Sequence, residues 1–213
     1  KYSYGYETSG IPAVVAGLIK LQEDHGVLEL NAVLAPAINY AENGYKMLPG
    51  EALRQQIAAE KIAEFKGSSH HFLKGNSTAN SAGDLIIQKD LAEVLKAIAA
   101  NGRKGFYEGE VARKIVEDIQ ANGGIITLED LKNYRALSSK IVDGVFKDHK
   151  VHSLYLPSFG AITVQILQIL DHLPSFNSEE DWALSNGKAT EIAYKYRKKQ
   201  ENLDSLNLIL SYE

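Results

Sequence analysis

The sequence predicts an α+β chain, predominantly helical, with a single β-hairpin. Three observations lead there. Apolar residues recur at three- and four-residue intervals in segments that close on glycine, the pattern of amphipathic helices with glycine stops. One stretch, 139–155, switches to β-branched and aromatic residues around a polar turn. Residues 105–136, GFYEGEVARKIVEDIQANGGIITLEDLKNYRA, hold a helix, a double-glycine stop, a short apolar step and a second capped helix in one unit.

Taken in order, residues 1–10 form an entry segment carrying Tyr and Gly. Gly10-Ile11-Pro12 leads into a first helix, with Pro12 at or near its first turn, where a missing N–H costs nothing. Val15, Leu18 and Ile19 carry that helix to a cap at His25-Gly26. Asn31 is placed to cap a second helix running through Ala41 to Asn43-Gly44, with Pro36 in its first turn or at a kink. An Ala- and Glu-rich third helix spans 50–65. Residues 66–81 are polar, rich in Gly, Ser, Asn and His, and are expected to form a mobile loop. Residues 84–87 read as a short extended step. A strongly periodic helix follows over 89–100, through Leu91, Val94, Leu95 and Ile98, closed by Asn101-Gly102.

Inside 105–136, Val111, Ile115 and Ile119 with Ala112 and Val116 form one apolar stripe, while Arg113, Lys114, Glu117, Asp118 and Gln120 face away. Asn122-Gly123-Gly124 stops the helix. Ile125 and Ile126 are expected to cross the core. Thr127 and Asp130 read as a helix start, since the hydroxyl can accept from a free backbone N–H and the carboxylate favours the positive helix end. Leu128, Leu131 and Tyr134 are expected to bury that short helix. Residues 141–146 and 151–155 pair around Lys147-Asp148-His149-Lys150 as the hairpin, which Leu156-Pro157-Ser158-Phe159-Gly160 ends. A helix over 161–173 presents Ile162, Ile166, Ile169 and Leu170. Residues 174–182 form a loop, 186–203 a final helix, and the tail 206–210 has no clear partner. The chain thus divides into a helical part 10–136, a hairpin 139–155 and C-terminal helices 160–203, without internal repeats.

Composition limits the function. The hydrophobic fraction of 45% over 213 residues supports a sizeable core, and the formal net charge of -4 gives no basic face for nucleic acid. The run Lys195-Tyr196-Arg197-Lys198-Lys199 reads as a solvated helix face. Without cysteine the chain has no disulfide, thiol nucleophile or thiolate metal site. No apolar run approaches the ~20 residues that span a bilayer. The opening Lys1-Tyr2-Ser3-Tyr4 lacks both an initiator Met and a signal-peptide pattern, and reads as part of something longer.

Candidate chemistry is sparse. His70-His71 in the polar stretch could contribute to a metal site, but no carboxylate or third histidine stands at a supporting spacing, so a solvated segment is the stronger reading. His152 alternates within a strand, as a satisfied and partly buried histidine would. Asn101-Gly102-Arg103-Lys104-Gly105 could grip an anion, against the plainer reading of a helix-ending turn. No Gly-x-Ser-x-Gly elbow, phosphate loop or dinucleotide fingerprint occurs. The residues therefore name no catalytic, cofactor-binding or metal-ligating position, and no cofactor.

Several segments, in order, resemble the gamma-glutamyltranspeptidase (gamma-glutamyltransferase) family: GIPAVVAGL at 10–18, PAINYAENGY at 36–45, GDLIIQKDLAEVLKAIAANG at 83–102, the 105–136 unit, and HSLYLPSFGAITVQILQIL at 152–170. The similarity runs from Gly10 to about Tyr196. It implies part of the large subunit of an N-terminal-nucleophile hydrolase with an αββα sandwich, in which the precursor cuts itself. The new N-terminal Thr of the small subunit then attacks a gamma-glutamyl amide such as glutathione, with its own α-amine as base. A glycine pair in the small subunit supplies oxyanion donors, and the acyl group passes to water, an amino acid or a peptide.

The departures from the family pattern matter as much. Thr8, Thr78, Thr127, Thr163 and Thr190 all lie outside the Thr-Thr-His-x-Ser-type nucleophile motif. The arginine that holds the substrate α-carboxylate in the family lies upstream of the Gly10-Ile11-Pro12 segment. The turn 156–161 is an altered form of the family's proline- and serine-rich one, and the run after Tyr194 diverges without its Gly-Asp-Pro. The expectation is one large-subunit fragment over 1–213 that frames a substrate cleft, is inactive alone, partners the small subunit, and is periplasmic or secreted. The rival expectation is a non-enzymatic helical module that folds or dimerises by itself.

Overall fold

A computed structural model of the chain describes residues 4–174 and 176–211. It divides into two compact units, 1–136 and 137–213.

The first unit is helical. After a short 3-10 turn at Tyr6–Thr8 come α1 (Val14–His25), α2 (Leu30–Asn43), β1 (Tyr45–Lys46), α3 (Pro49–Ala63), α4 (Lys66–Phe72), β2 (Leu85–Ile86), α5 (Lys89–Asn101), α6 (Lys104–Tyr107), α7 (Gly109–Ala121) and α8 (Leu128–Asn133). The short β1 and β2 pair antiparallel, Tyr45 opposite Ile86. The ladder continues as Met47 N–H donates to Asp84 O at 2.9 Å and Gln88 N–H to Ala41 O at 2.9 Å, which lays α5 against α2. The core is Ala16, Tyr107, Ala112, Val116, Ile126 and Leu131, flanked by Ile115, Ile119 and Tyr134.

The second unit pairs β3 (Ile141–Phe146) and β4 (His149–Leu154) as an antiparallel hairpin, Ile141 opposite Leu154 and Phe146 opposite His149. The turn is therefore Lys147-Asp148, and Lys147 takes a φ of 51°. Helix α9 (Gly160–Asp171) covers one face of the hairpin. Helix α10 (Glu179–Lys195), a 3-10 turn at Arg197–Glu201 and α11 (Leu203–Leu210) complete the unit. Val142, Ala161, Val164 and Leu206 form its core.

Several sequence expectations change. Residues 66–81 are not one loop. Phe65 leaves α3 in an extended conformation and α4 forms, with Ser69 buried, before a turn closed by a Lys74–Thr78 bridge. Asn31 does not cap α2: Glu29 holds the cap position, and the Asn31 carboxamide accepts from Ala32 N–H one residue into the helix. Pro36 sits in the second turn of α2. Only Ile126 enters the core, at 5% exposure against 83% for Ile125, because successive residues of an extended step point to opposite sides. Leu128 is exposed in α8, while Leu131 is fully buried. The last long helix starts at Glu179, seven residues before the expected 186, because Ser178 accepts from Asp181 N–H at 3.1 Å and three acidic residues sit in the first turn. It ends at Lys195 and the chain starts again as α11. The tail therefore has a partner: Leu206, 3% exposed, packs on Val142, Ala161 and Val164.

Helix α9 departs most from expectation. Its buried side chains are Ala161, Ile162, Val164, Gln165 and Gln168, while Ile166, Ile169 and Leu170 are only half-buried. Gln200 Nε2 donates to Gln165 Oε1 at 3.0 Å, and Gln168 Nε2 to Leu210 O at 3.0 Å. The interior amides are satisfied by the segment that follows α10, so burying them costs little. Two glycines make the packing possible. A Cβ at Gly144 would collide with Val164 Cγ1, and one at Gly160 with the Leu154 carbonyl.

Candidate functional site

The best-organised group of polar side chains in the chain lies at the start of the 105–136 unit. Gly105 is where α6 crosses α5 at closest approach. A Cβ there would run into the carbonyl of Ala97 and lie 2.8 Å from the backbone nitrogen of Ile98. That approach brings Tyr107 into the core at 1% exposure. Its hydroxyl donates to Pro12 O at 2.5 Å and accepts from Ala16 N–H at 3.0 Å. One phenol thus ties the entry to α1, 91 residues earlier, to the middle of the unit. Burial pushes its pKa above the usual tyrosine value, partly offset by the Ala16 N–H it accepts from.

Arg103 is the second organiser. Its guanidinium donates to Tyr134 O at 2.6 and 3.1 Å, to Lys132 O at 2.6 Å and to Leu131 O at 3.2 Å. These carbonyls lie at the C-terminal end of α8, where a cation is favoured. The same group lies 4.9 Å from the centroid of the Tyr107 ring, which stacks on Tyr134 at 5.9 Å. The segment 101–105 fits the plainer reading of a helix-ending turn, because Arg103 Nε and Nη2 donate to backbone carbonyls and Nη1 lies 3.7 Å from the Glu108 carboxylate. Burial lowers the Arg103 pKa from its ordinary value, and neighbouring Arg135 adds to the effect. At the far end of the unit, Asp130 N–H donates to Thr127 Oγ1 at 3.1 Å and Thr127 N–H to Asp130 Oδ2 at 2.9 Å, a reciprocal cap. The Thr127 hydroxyl and N–H hold the Asp130 carboxyl below its usual range.

The other candidates separate. His70 and His71 lie on α4, exposed, with ring centroids 5.1 Å apart edge to face. Among the described residues no group of three or more His, Cys, Asp or Glu converges as a metal site. His152 is not partly buried: it is exposed on β4 and its Nδ1 lies 2.6 Å from Asp143 Oδ1 across the hairpin. Its register position puts it on the face away from α9. Thr8 Oγ1 donates to Gly5 O at 2.8 Å and Thr163 Oγ1 to Phe159 O at 3.2 Å. Both are local backbone bonds that give the oxygen no base.

Two of the concavities of the first unit carry aromatic or aliphatic linings. A cleft of about 570 Å³ is lined by Tyr4, Tyr6, Lys61, Phe65, His71 and Asp118, with the Lys61 ammonium 4.4 Å from the Tyr4 ring centroid. Burial raises the Tyr6 pKa, with Asp118 adding to it. A more apolar groove of about 470 Å³ lies among α1, α2 and α5, lined by Leu18, Leu21, Leu30, Val33, Leu95 and Ile98. The sequence reading missed Tyr107 and the three interior glutamines. A tyrosine between two glycines in a tight crossing is a usable signal for the former. The glutamines carry no comparable mark among the aliphatics of α9.

What this arrangement can do chemically is position. It fixes helix ends and crossings with bonds that are already satisfied, and its hydroxyl–carboxylate contact, Thr127 Oγ1 to Asp130 Oδ2 at 2.6 Å, belongs to the cap of α8. Residues 1–204 match the family described as Gamma-glutamyltranspeptidase. The capsule biosynthesis protein CapD proenzyme of Bacillus anthracis is 32% identical over 201 residues, covering 94% of this chain and 37% of that protein. The glutathione hydrolase proenzyme of Escherichia coli (strain K12) is 32% identical over 203 residues, covering 92% of this chain and 34% of that protein. The chain thus spans about a third of the length of these curated relatives. Among solved structures, the gamma-glutamyltranspeptidase of Helicobacter pylori superposes with a TM-score of 0.89 at 31% identity, over 99% of this chain and 63% of that one. The Bacillus anthracis transpeptidase CapD gives 0.76 at 32%, over 95% and 70%. With its motifs in the family's order on the family's helical α+β framework, the chain belongs to the gamma-glutamyltranspeptidase family.

Proposed function

We propose that residues 1–213 are a piece of the large subunit of a gamma-glutamyltranspeptidase. The assembled enzyme cleaves gamma-glutamyl amides such as glutathione and passes the gamma-glutamyl group to water, amino acids or peptides. The nucleophilic Thr comes from a small subunit that packs on this piece, and the piece itself positions rather than reacts. The observation that carries this reading is the way Arg103 and Tyr107 are used. The buried Tyr107 hydroxyl and the half-buried Arg103 guanidinium both bond to backbone, as a framework requires. The proenzyme names of the relatives support a processed second subunit. The family resemblance also supports a periplasmic or secreted location. No described helix is long and apolar enough to cross a membrane.

A chromogenic gamma-glutamyl anilide tests this. The purified chain is expected to release no chromophore, and co-expression with the rest of a family precursor, supplying both the upstream arginine and the small subunit's Thr-Thr-His-x-Ser motif, is expected to restore release. Turnover by the chain alone, surviving repurification, would overturn it. A second reading, a module that dimerises through its own apolar surface, is favoured by the exposure of Val14 at 71%, Val27 at 96% and Leu208 at 77%. Gel filtration separates the two. A monomer at micromolar concentration removes the second reading, and a stable dimer that excludes the small subunit removes the first.

A further inference from the structure

We propose that Asn76 is an N-glycan acceptor, used when the chain enters a compartment that holds an oligosaccharyltransferase. Asn76-Ser77-Thr78 is an Asn-x-Thr sequon with a residue other than proline in the middle. No other asparagine in the chain has Ser or Thr two residues on. Four residues later Asn80-Ser81 begins in the same way but continues to Ala82, so the chain carries its own internal comparison.

The structure separates the two sites further. Asn76 stands at the tip of a tight turn, with φ of 54° at Gly75 and 63° at Asn76. The turn is closed beneath them by Lys74 N–H donating to Thr78 O at 2.7 Å and Thr78 N–H to Lys74 O at 3.1 Å. Asn76, Ser77 and Thr78 are all exposed. Asparagine is among the few residues that tolerate the left-handed conformation, so the folded turn accommodates the glycan-bearing residue once transfer is complete. Asn80 is built inward instead: its Nδ2 donates to Phe72 O at 2.9 Å and to Gln55 Oε1 at 3.0 Å, and its N–H to Gln55 Oε1 at 2.6 Å. A glycan on Asn80 would break those bonds, whereas one on Asn76 projects from the tip of the turn.

The donor is a polyprenyl-diphosphate-linked oligosaccharide. The Asn76 carboxamide nitrogen attacks the anomeric carbon of the first sugar and an N–C bond forms. The bond from that carbon to the diphosphate oxygen breaks, the lipid diphosphate leaves with the electron pair, and the amide proton passes to a base of the transferase. The proposal rests on the extracytoplasmic reading for its biological setting, and its test supplies the compartment so that the two fail separately.

The full chain is expressed in yeast behind a heterologous secretion signal, and total lumenal and secreted material is analysed by intact mass and peptide mapping. The expected result is one glycan, at Asn76. It is lost in Asn76→Gln and in Thr78→Ala, and retained in Thr78→Ser. Because the site is a turn tip, peptide N-glycosidase is expected to remove the glycan from the native chain without denaturant, converting residue 76 to Asp. Removal is expected to move the melting midpoint by no more than about 2 °C, the range of a neutral surface change. An unmodified Asn76 in the lumenal pool overturns the proposal, as does a glycan that persists in Asn76→Gln. Removal only after denaturation overturns the exposed-turn placement on which it depends. Since transfer precedes folding, a variant that folds poorly still reports occupancy.

Discussion

Tyr107 shows how much one side chain can organise. Its ring is buried, and its hydroxyl serves a carbonyl and an N–H that would otherwise lack partners at the start of α1. Tyr107→Phe keeps the ring and removes both bonds. Leaving buried groups unpaired costs about 1–3 kcal/mol, so the urea midpoint is expected to fall with the slope unchanged. A change in slope would mean instead that the compactness of one state had altered. The same residue sets a pH limit. Its folded pKa lies above the usual tyrosine value, chiefly through burial, so the unfolded chain gives up this proton first as pH rises. The stability it contributes is complete below about pH 10, near the usual tyrosine pKa, and is lost on rising through the folded pKa. Tyr6, also raised, acts in the same direction. In Tyr107→Phe the alkaline loss is expected to be shallower, as read by stability measured from pH 8 to 11. A loss as steep as in the parent would assign it to other groups.

At the scale of elements, the two units differ in how plainly they were written. Helix α7 is legible: Val111, Ile115 and Ile119 announce an apolar stripe, Asn122-Gly123 stop it, and Thr127 with Asp130 cap the next helix as expected. Thr127→Ala is expected to destabilise by about 1 kcal/mol, the usual worth of such a cap, seen as a lower melting midpoint. Helix α9 is not legible, because hydrophobic periodicity assumes that the apolar face points inward. Here the inward face carries Gln165 and Gln168, which bond to a glutamine 35 residues away and to a backbone carbonyl 42 residues away. No local pattern announces a partner that distant. The start of α10 was misjudged for a simpler reason: Ser178 with Asp181 is a cap signal, but it follows a Pro- and Ser-containing stretch that reads as loop. The glutamine pair makes a sharp expectation. Gln165→Leu strands a nearly buried Gln200 amide and is expected to cost about 1–3 kcal/mol. The double change Gln165→Leu with Gln200→Leu is expected to recover most of it. A double-mutant cycle with zero coupling would show that the bond contributes nothing.

At the scale of the whole molecule, a short connection separates the two cores along the sequence. The first closes with Leu131, fully buried, and Tyr134; the second opens with Val142, 4% exposed. Residues 137–140 lie between them, all exposed, with Leu137 at 88%, and they form no helix or strand. A longer irregular stretch, 73–84, is better held. Leu73 is buried, Lys74 bridges Thr78 and pairs with Asp84 at 2.5 Å, and Ser81 N–H donates to Asp84 Oδ2 at 2.5 Å. Lys74 and the Ser81 N–H hold the Asp84 carboxyl below its ordinary value, so that tie is kept at neutral pH. Proteases need an exposed segment that can open locally at little cost, and opening cost follows buried contacts and protected hydrogen bonds. A dilute broad-specificity protease is therefore expected to cut first within 136–140 and to leave two fragments that persist. N-terminal sequencing of the second fragment locates the cut. First cuts within 73–84 would show that the turn carrying Asn76 opens more readily than the connection. As pH falls from about 4, the usual carboxylate value, through the lower folded pKa of Asp84, protonation of Asp84 removes its tie to Lys74. Cutting within 73–84 is then expected to rise relative to cutting at 136–140, and an unchanged ratio would show that the Asp84 tie does not hold the segment closed.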